Sequence, residues 1–225
     1  MKNFSNWLVV ASETKKWAFL DQTACQLTSC KFIKLASCCH VKNVCETCTM
    51  MIETERLWLV VADLPKLEAI VSEDQDTLSS LLGGVDIASQ WLHFPEAMVW
   101  MRDYLRESEA ELGWWNYLII HRQAGKLIGS GGFKGPPSYN GEVEIGYEIA
   151  PAYQGQGLAT EAARALVEYA FNNTAVRCVM ANTLAEENAS NHLLYKIGFE
   201  WMGEEEDLEE TKFWVFRQLK IGEKP

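Results

Sequence analysis

The 225-residue sequence predicts one α/β (α+β) domain on a mixed sheet over residues 51–225, behind a cysteine-rich N-terminal extension, residues 1–50. Three observations predict it. Stretches of helical period alternate with β-rich apolar runs after residue 51. "WWNYLIIHRQAGKLIGSGGF" reads as strand, turn and strand, an antiparallel hairpin. "GEVEIGYEIA" and "VRCVMANTL" are strands joined through a helical stretch, the pattern of a crossover.

The elements follow in order. "TERLWLVVA" (Thr54–Ala62) is a strand. Asp63 caps the next helix, and Pro65 sits in its first turn, where a missing N–H costs nothing. "LPKLEAIVSEDQDTLSSLL" continues it with breaks until Gly83-Gly84. Pro95 starts an amphipathic helix that carries Met98, Trp100, Met101 and Leu105 at helical spacing, a core stripe. The hairpin turns at Gln123–Lys126, and "KGPPSYNG" is a loop. In the next strand Val143, Ile145, Tyr147 and Ile149 face one way, and Glu142, Glu144, Gly146 and Glu148 the other. "NASNHLLYKIGF" is a short helix, capped by Asn188 or Ser190 and stopped by Gly198. "EEEDLEE" (Glu204–Glu210) reads as a solvated loop, and "KFWVFRQL" is the closing strand.

Charge narrows the function classes. Net charge is −11, unevenly spread. Residues 1–50 hold six lysines against three acids; the rest holds 14 basic residues against 28 acidic ones. So acidic a body is a poor match for nucleic acid and tolerates a cationic substrate far better. No apolar run approaches the roughly 20 residues that span a bilayer, and "NWLVVA" is too short for a secretory signal. The expectation is a cytoplasmic protein with no nucleic-acid or membrane partner, a monomer or homodimer.

Six of the seven cysteines fall between Cys25 and Cys48. Cys45-x-x-Cys48 has the spacing of half a zinc site, but no clean second pair accompanies it, and no metal is expected. The extension otherwise reads as a disordered appendage or as translated upstream sequence, and the second has direct support, since "IETERLWLVVADLP" after Met50-Met51 looks like a natural start. Cys178 sits in an apolar strand and reads as core. No metal spacing links His93, His121 and His192. Trp114-Trp115 reads as packing or as an acceptor pocket wall.

"APAYQGQGLATEAARALVEYAF" (Ala150–Phe171) carries the functional signal: Gly155 and Gly157 directly before a strongly helical run. A P-loop needs Gly-Lys-Ser/Thr, and this stretch has no lysine. A dinucleotide fingerprint needs a third glycine where Thr160 stands, and a preceding strand buried on both faces rather than one with three glutamates. A Gly-rich turn without a ligand is the structural reading. A fourth reading fits better. Gln154-x-x-Gly157-x-Ala159 resembles the Gln/Arg-x-x-Gly-x-Gly/Ala motif of the Gcn5-related N-acetyltransferases, the GNAT family. "VEIGYEIAPAYQGQGLATEA", "TERLWL" and "ASNHLLYKIGF" resemble its RimJ/RimL-like ribosomal-protein N-acetyltransferase type, over most of Ile52–Leu219.

The resemblance implies a mainly antiparallel central sheet flanked by helices. It also implies acetyl-CoA as the acyl donor. Backbone amides from Gln156 through Gly157, Leu158 and Ala159 to Thr160, in the loop beginning Gln154-Gly155, would bind its pyrophosphate at the helix N-terminus. Ile149, at the strand end, would flank the pantetheine arm. The implied reaction is direct attack of a primary amine, on a small molecule or a protein N-terminus, upon the thioester, with no covalent acyl-enzyme. Glu144 and Glu148 are the candidate bases. Against that, Glu144 reads as half of a structural ion pair and Glu148 as solvated. In the later helix the family's frequent Asn position falls on Glu187, one place before Asn188. Ser190 lands on the Ser position, and the proton-donating Tyr position falls on Leu194, one place before Tyr195. One residue on a helix is about 100°. Asn188 remains a cofactor candidate, Ser190 and Tyr195 catalytic ones. The alternative class is an acetyl-CoA-binding sensor without catalysis.

Overall fold

The computed structural model describes residues 51–107, 109–207 and 211–223, with the side chains of 109 and 110 left aside. The extension, its cysteines and any zinc site lie outside the described residues. The strands are β1 (Met51–Glu53), β2 (Leu57–Val61), β3 (Asp86–Ile87), β4 (Asn116–His121), β5 (Lys126–Phe133), β6 (Glu142–Ile149), β7 (Cys178–Leu184), β8 (Glu200–Glu206) and β9 (Lys212–Leu219). The helices are α1 (Leu64–Val71), α2 (Gln75–Leu81), α3 (Pro95–Glu107), α4 (Leu158–Asn172) and α5 (Ala189–Ile197).

The sheet runs β1-β2-β4-β5-β6-β7-β9-β8, and the short β3 pairs with β5. Every pair in the main path is antiparallel except β6–β7, the ends of the β6–α4–β7 crossover. Alternation sorts the two cores. Leu57, Leu59 and Val61 of β2 join Val143 and Ile145 of β6 under Leu158, Ala162, Ala163, Leu166 and Ala170 of α4. Val60 of β2, with Leu118 and Ile120 of β4, turns to the opposite face, against Leu67 of α1 and Met98, Met101 and Leu105 of α3. The two layers make a helix–sheet–helix sandwich.

Local chemistry sets the helix ends. The Asp63 carboxylate accepts the Lys66 amide, and Pro65 lies in the first turn of α1. Asp74 caps α2 through Thr77, which splits "LPKLEAIVSEDQDTLSSLL" into two helices. Asn188 caps α5 through the Asn191 amide at 3.0 Å, and Gly198 ends it at φ 99°.

Two expectations are corrected. "EEEDLEE" is not all loop: Glu204, Glu205 and Glu206 lie in β8, paired with Trp214, Phe213 and Lys212 of β9. An edge strand needs one good partner, and glutamates along it deter pairing with another chain. Trp100 is not core; it is 45% exposed and packs on Tyr104 and Trp115 over the outside of α3. Trp114 and Trp115 are packing residues, against Phe133 and Tyr169 in one case and Trp100 and Tyr104 in the other. Cys178 is buried in β7, as expected of core. Among the described residues no helix is long and apolar enough to cross a membrane, and no cluster of metal-ligating side chains occurs.

Candidate active site

The site begins with a break in the sheet. β6 and β7 pair only from Glu142/Cys178 to Ile145/Ala181. Beyond that point Gly146–Ile149 stay with β5, and Asn182–Leu184 stay with β9. The two strands part, and a cleft of about 630 Å³ opens between them, within the usual range of small-molecule sites. One wall is the second half of β6; the facing wall is the end of β7 and the start of α5. The Gly155–Thr160 segment closes one end.

That segment is shaped by backbone demands. Gly155 (φ 73°) and Gly157 (φ 76°) are both left-handed, a conformation that costs other residues about 1 kcal/mol or more. Gly157 is the N-cap residue of α4 and supplies no side chain to it. The Glu161 N–H donates to the Gly157 carbonyl at 3.1 Å as α4 begins. The amides of Leu158, Ala159 and Thr160 therefore precede any carbonyl of their own helix and point out of its N-terminus. Gln154 braces the turn: its Nε2 donates to the Ile149 carbonyl at 2.8 Å, tying the loop to the end of β6.

A second brace comes from the β1–β2 turn. Arg56 donates from Nε to Glu161 at 2.6 Å and from Nη1 to the Gln156 carbonyl at 2.9 Å. The Arg56 amide and the Thr54 hydroxyl also donate to Glu161. Burial raises the Glu161 carboxyl, but these hydrogen bonds and the guanidinium charge outweigh it and hold the group below its ordinary range. Sequence reading missed this brace, because nothing local links residues 105 positions apart.

The opposite face of β6 carries the carboxylates. Glu148 is buried, with 7% of its side chain exposed. Its Oε1 accepts from the Ser130 hydroxyl of β5, and its Oε2 accepts from the His93 backbone amide, each at 2.8 Å. His93 Nδ1 meets the same Oε2 at 2.8 Å. Burial pushes the Glu148 carboxyl above its ordinary range, and the bonds from Ser130 and His93 only partly offset it. The reading of Glu148 as solvated is thus overturned. Glu144 accepts from Lys134 Nζ and, at 3.1 Å, from Asn182 Nδ2, the structural ion pair that was its alternative. His93, which the sequence left without a role, was invisible because its partner lies 55 positions away.

Of the other expected residues, Ile149, Gln154, Gly155, Gly157, Leu158, Ala159, Thr160, Asn188 and Ser190 line the cleft together with both glutamates. The Asn188 side chain is already committed: Oδ1 accepts from Asn191, and Nδ2 donates to the Glu186 carbonyl at 3.0 Å. The Gln156 side chain turns outward and donates to the Ala152 carbonyl at 3.2 Å. Tyr195 is not brought to the cleft. It is 53% exposed and packs edge-on against Phe216 at 5.3 Å, while Leu194, one step around the helix, is buried and lines the cleft. The cleft has a different tyrosine. Tyr147 of β6 buries its hydroxyl toward Ser190 without meeting it at hydrogen-bond geometry, and burial raises its phenol.

The chain that carries this cleft is similar to known proteins. A family model described as the acetyltransferase (GNAT) domain matches residues 59–200. An uncharacterized N-acetyltransferase of Bacillus subtilis, YjdG, is 28% identical over 152 residues, which cover 67% of this chain and 89% of YjdG. Among solved structures, RimL, a ribosomal L7/L12 α-N-protein acetyltransferase in complex with coenzyme A, superposes with a TM-score of 0.55 at 18% identity, over 77% of this chain and all of RimL (100%). Ribosomal-protein-S5-alanine acetyltransferase from Vibrio fischeri does so at 0.55 and 16%, over 78% of this chain and 100% of its own. At these identities the structural likeness is one of fold, and it includes the ribosomal-protein type that the sequence resembles. The family match spans more than half of the sequence: the chain belongs to the acetyltransferase (GNAT) domain family and is an acyltransferase.

Proposed function

We propose that the protein transfers an acetyl group from acetyl-CoA to a primary amine, by direct attack with both substrates bound in the cleft. One observation carries the reading. The β6–β7 opening and the N-terminus of α4 meet in a single cleft, so an extended chain ending in a diphosphate fits it end to end. The amides of Leu158, Ala159 and Thr160 suit the diphosphate, and Gly155 and Gly157 leave room for close approach, since a Cβ at Gly155 meets nothing within 4 Å. Backbone along Gly146–Glu148, not paired with β7, suits the amide-bearing arm. RimL, a fold neighbour, is described with coenzyme A, in agreement with this fit.

The acceptor side is the face of β6 that carries Glu144 and Glu148. An amine must lose a proton before it attacks, and this face holds the buried Glu148 carboxylate in contact with the cleft-lining His93 ring, a carboxylate–imidazole pair of the kind that moves protons. Glu144, engaged by Lys134 and Asn182, orders the far end of the same wall. The acidic body, with 28 acids against 14 basic residues after residue 50, favours a cationic acceptor. A peptide α-amine or a small polyamine has that character. The domain is assigned to residues 51–225.

The test is release of free thiol from acetyl-CoA by the full chain, with an N-terminal seryl peptide, an N-terminal alanyl peptide and spermidine as acceptors. Amine-dependent release, with the acetylated amine seen by mass, is expected. Acetyl-CoA binding with no amine-dependent release would favour the non-catalytic sensor.

A further inference from the structure

We propose that His93, oriented by Glu148, is the base that takes the proton from the acceptor's ammonium group. The inference rests on the acetyl-transfer reading above. It follows from how Glu148 spends its hydrogen-bonding capacity. Both carboxylate oxygens are taken: Oε1 by Ser130, and Oε2 by the amide and the ring of His93. With only 7% of its side chain exposed, Glu148 has little surface left for a substrate. His93 is the reverse. It lines the cleft, 40% of its side chain is exposed, and no described residue hydrogen-bonds its Nε2. A buried carboxylate bound to Nδ1 fixes which nitrogen carries the proton, and leaves Nε2 with its lone pair directed away from the carboxylate. An imidazole so held, with Nε2 open to the cleft, is better placed to accept an ammonium proton than a buried carboxylate that already accepts three hydrogen bonds.

The step balances. The ammonium N–H bond breaks and its proton goes to His93 Nε2. The freed amine nitrogen forms the C–N bond to the acetyl carbon, and the C–S bond breaks. The thiolate leaves with the electron pair and takes the second proton of the amine nitrogen. His93 returns the first proton to solvent. The other charged groups lining the cleft are Lys134, paired with Glu144, and Glu186, His192 and Lys196 of the α5 side. His192 Nε2 contacts a different carboxylate, that of Glu187, at 3.3 Å.

Long-range ¹H–¹⁵N spectra of the full chain test the assignment, with the His93 signals identified by their absence in His93→Gln. Neutral His93 is expected to carry its proton on Nδ1, and to lose that preference in Glu148→Gln. The wild-type spectrum stands alone if that variant does not fold. A neutral His93 protonated on Nε2 overturns the proposal. With whichever of the seryl peptide and spermidine the wild type acetylates, His93→Gln is expected to lose about 100-fold or more in rate and to lose the acid limb of the kcat/KM profile, while calorimetry shows acetyl-CoA affinity unchanged. A wild-type rate in His93→Gln overturns it too. If the wild type acetylates neither amine, the tautomer decides. Failure of the wild type to bind acetyl-CoA would instead remove the acetyl-transfer reading, whatever the tautomer.

Discussion

Arg56 and Glu161 stand 105 positions apart and meet at 2.6 Å, and from that contact the β1–β2 turn holds the glycine loop against the start of α4. The same guanidinium lies 3.7 Å from where a Gly157 Cβ would stand. Its charge therefore lies beside the glycine turn that it braces.

The brace predicts a pH signature. Glu161 is held below its ordinary range in the folded protein. Its stabilisation is then fully present above the ordinary glutamate value of about 4.3 and is lost as pH falls through the lower folded value. Glu161→Gln should cost about 1 kcal/mol, or about 2–4 °C in Tm, at neutral pH. The gap to wild type should close as pH falls below about 4. Thermal melts at several pH values check this; a gap that widens in acid contradicts it.

Gly157 separates backbone strain from charge. Gly157→Ala puts a side chain at φ 76° with room to spare, so about 1 kcal/mol of stability should go. Acetyl-CoA affinity should change little. Gly157→Asp adds the same strain and a negative charge at the start of α4, so affinity for a diphosphate should fall by more than about tenfold. Equal losses of affinity in the two variants would mean that the loop acts through shape alone.

Gly129 and Gly132 of β5 predict a structural effect at a distance. A Cβ at Gly129 falls 2.2 Å from the Glu148 carbonyl oxygen, and one at Gly132 falls 2.0 Å from that of Trp115. Backbone must shift in either case. Gly129→Ala should cost about 1–3 kcal/mol and, because it displaces the strand that carries Glu148, should lower acetyl transfer beyond what instability explains. Gly132→Ala should cost stability alike and disturb Glu148 less. Urea melts and rates on the folded fraction separate the two.

α5 offers the sharpest contrast with a sequence-based assignment. Tyr195→Phe should leave the transfer rate unchanged, since the ring packs on Phe216 outside the cleft. Asn188→Ala should cost about 1 kcal/mol through loss of the N-cap. A rate loss of tenfold or more in Tyr195→Phe, with stability intact, would return that hydroxyl to the chemistry.

What was legible in the sequence follows from how local each cause is. β9 is "KFWVFRQL" as read, because a short aromatic and β-branched run between polar residues marks it. The glycine turn was legible because left-handed backbone favours glycine, as at Gly155 and Gly157. Asn188 was legible as a cap, since capping is decided within three residues. β8 was not, because an exposed edge strand of "EWMGEEE" takes its order from β9 rather than from its own pattern. The Glu148–His93 pair was half legible. Alternation placed Glu148 on a face, but only tertiary structure buries it and brings His93 from the segment before α3. Tyr195 was placed by counting along a helix, where an offset of one residue turns a side chain from the cleft to the surface.

The most direct measurement is a calorimetric titration of the full chain with acetyl-CoA, with NAD and ATP as comparison ligands and Gly157→Asp as control. One acetyl-CoA site per chain, no comparable binding of NAD or ATP, and loss of the site in the control are expected. Absence of acetyl-CoA binding, or preference for either other nucleotide, would contradict the assignment of the cleft.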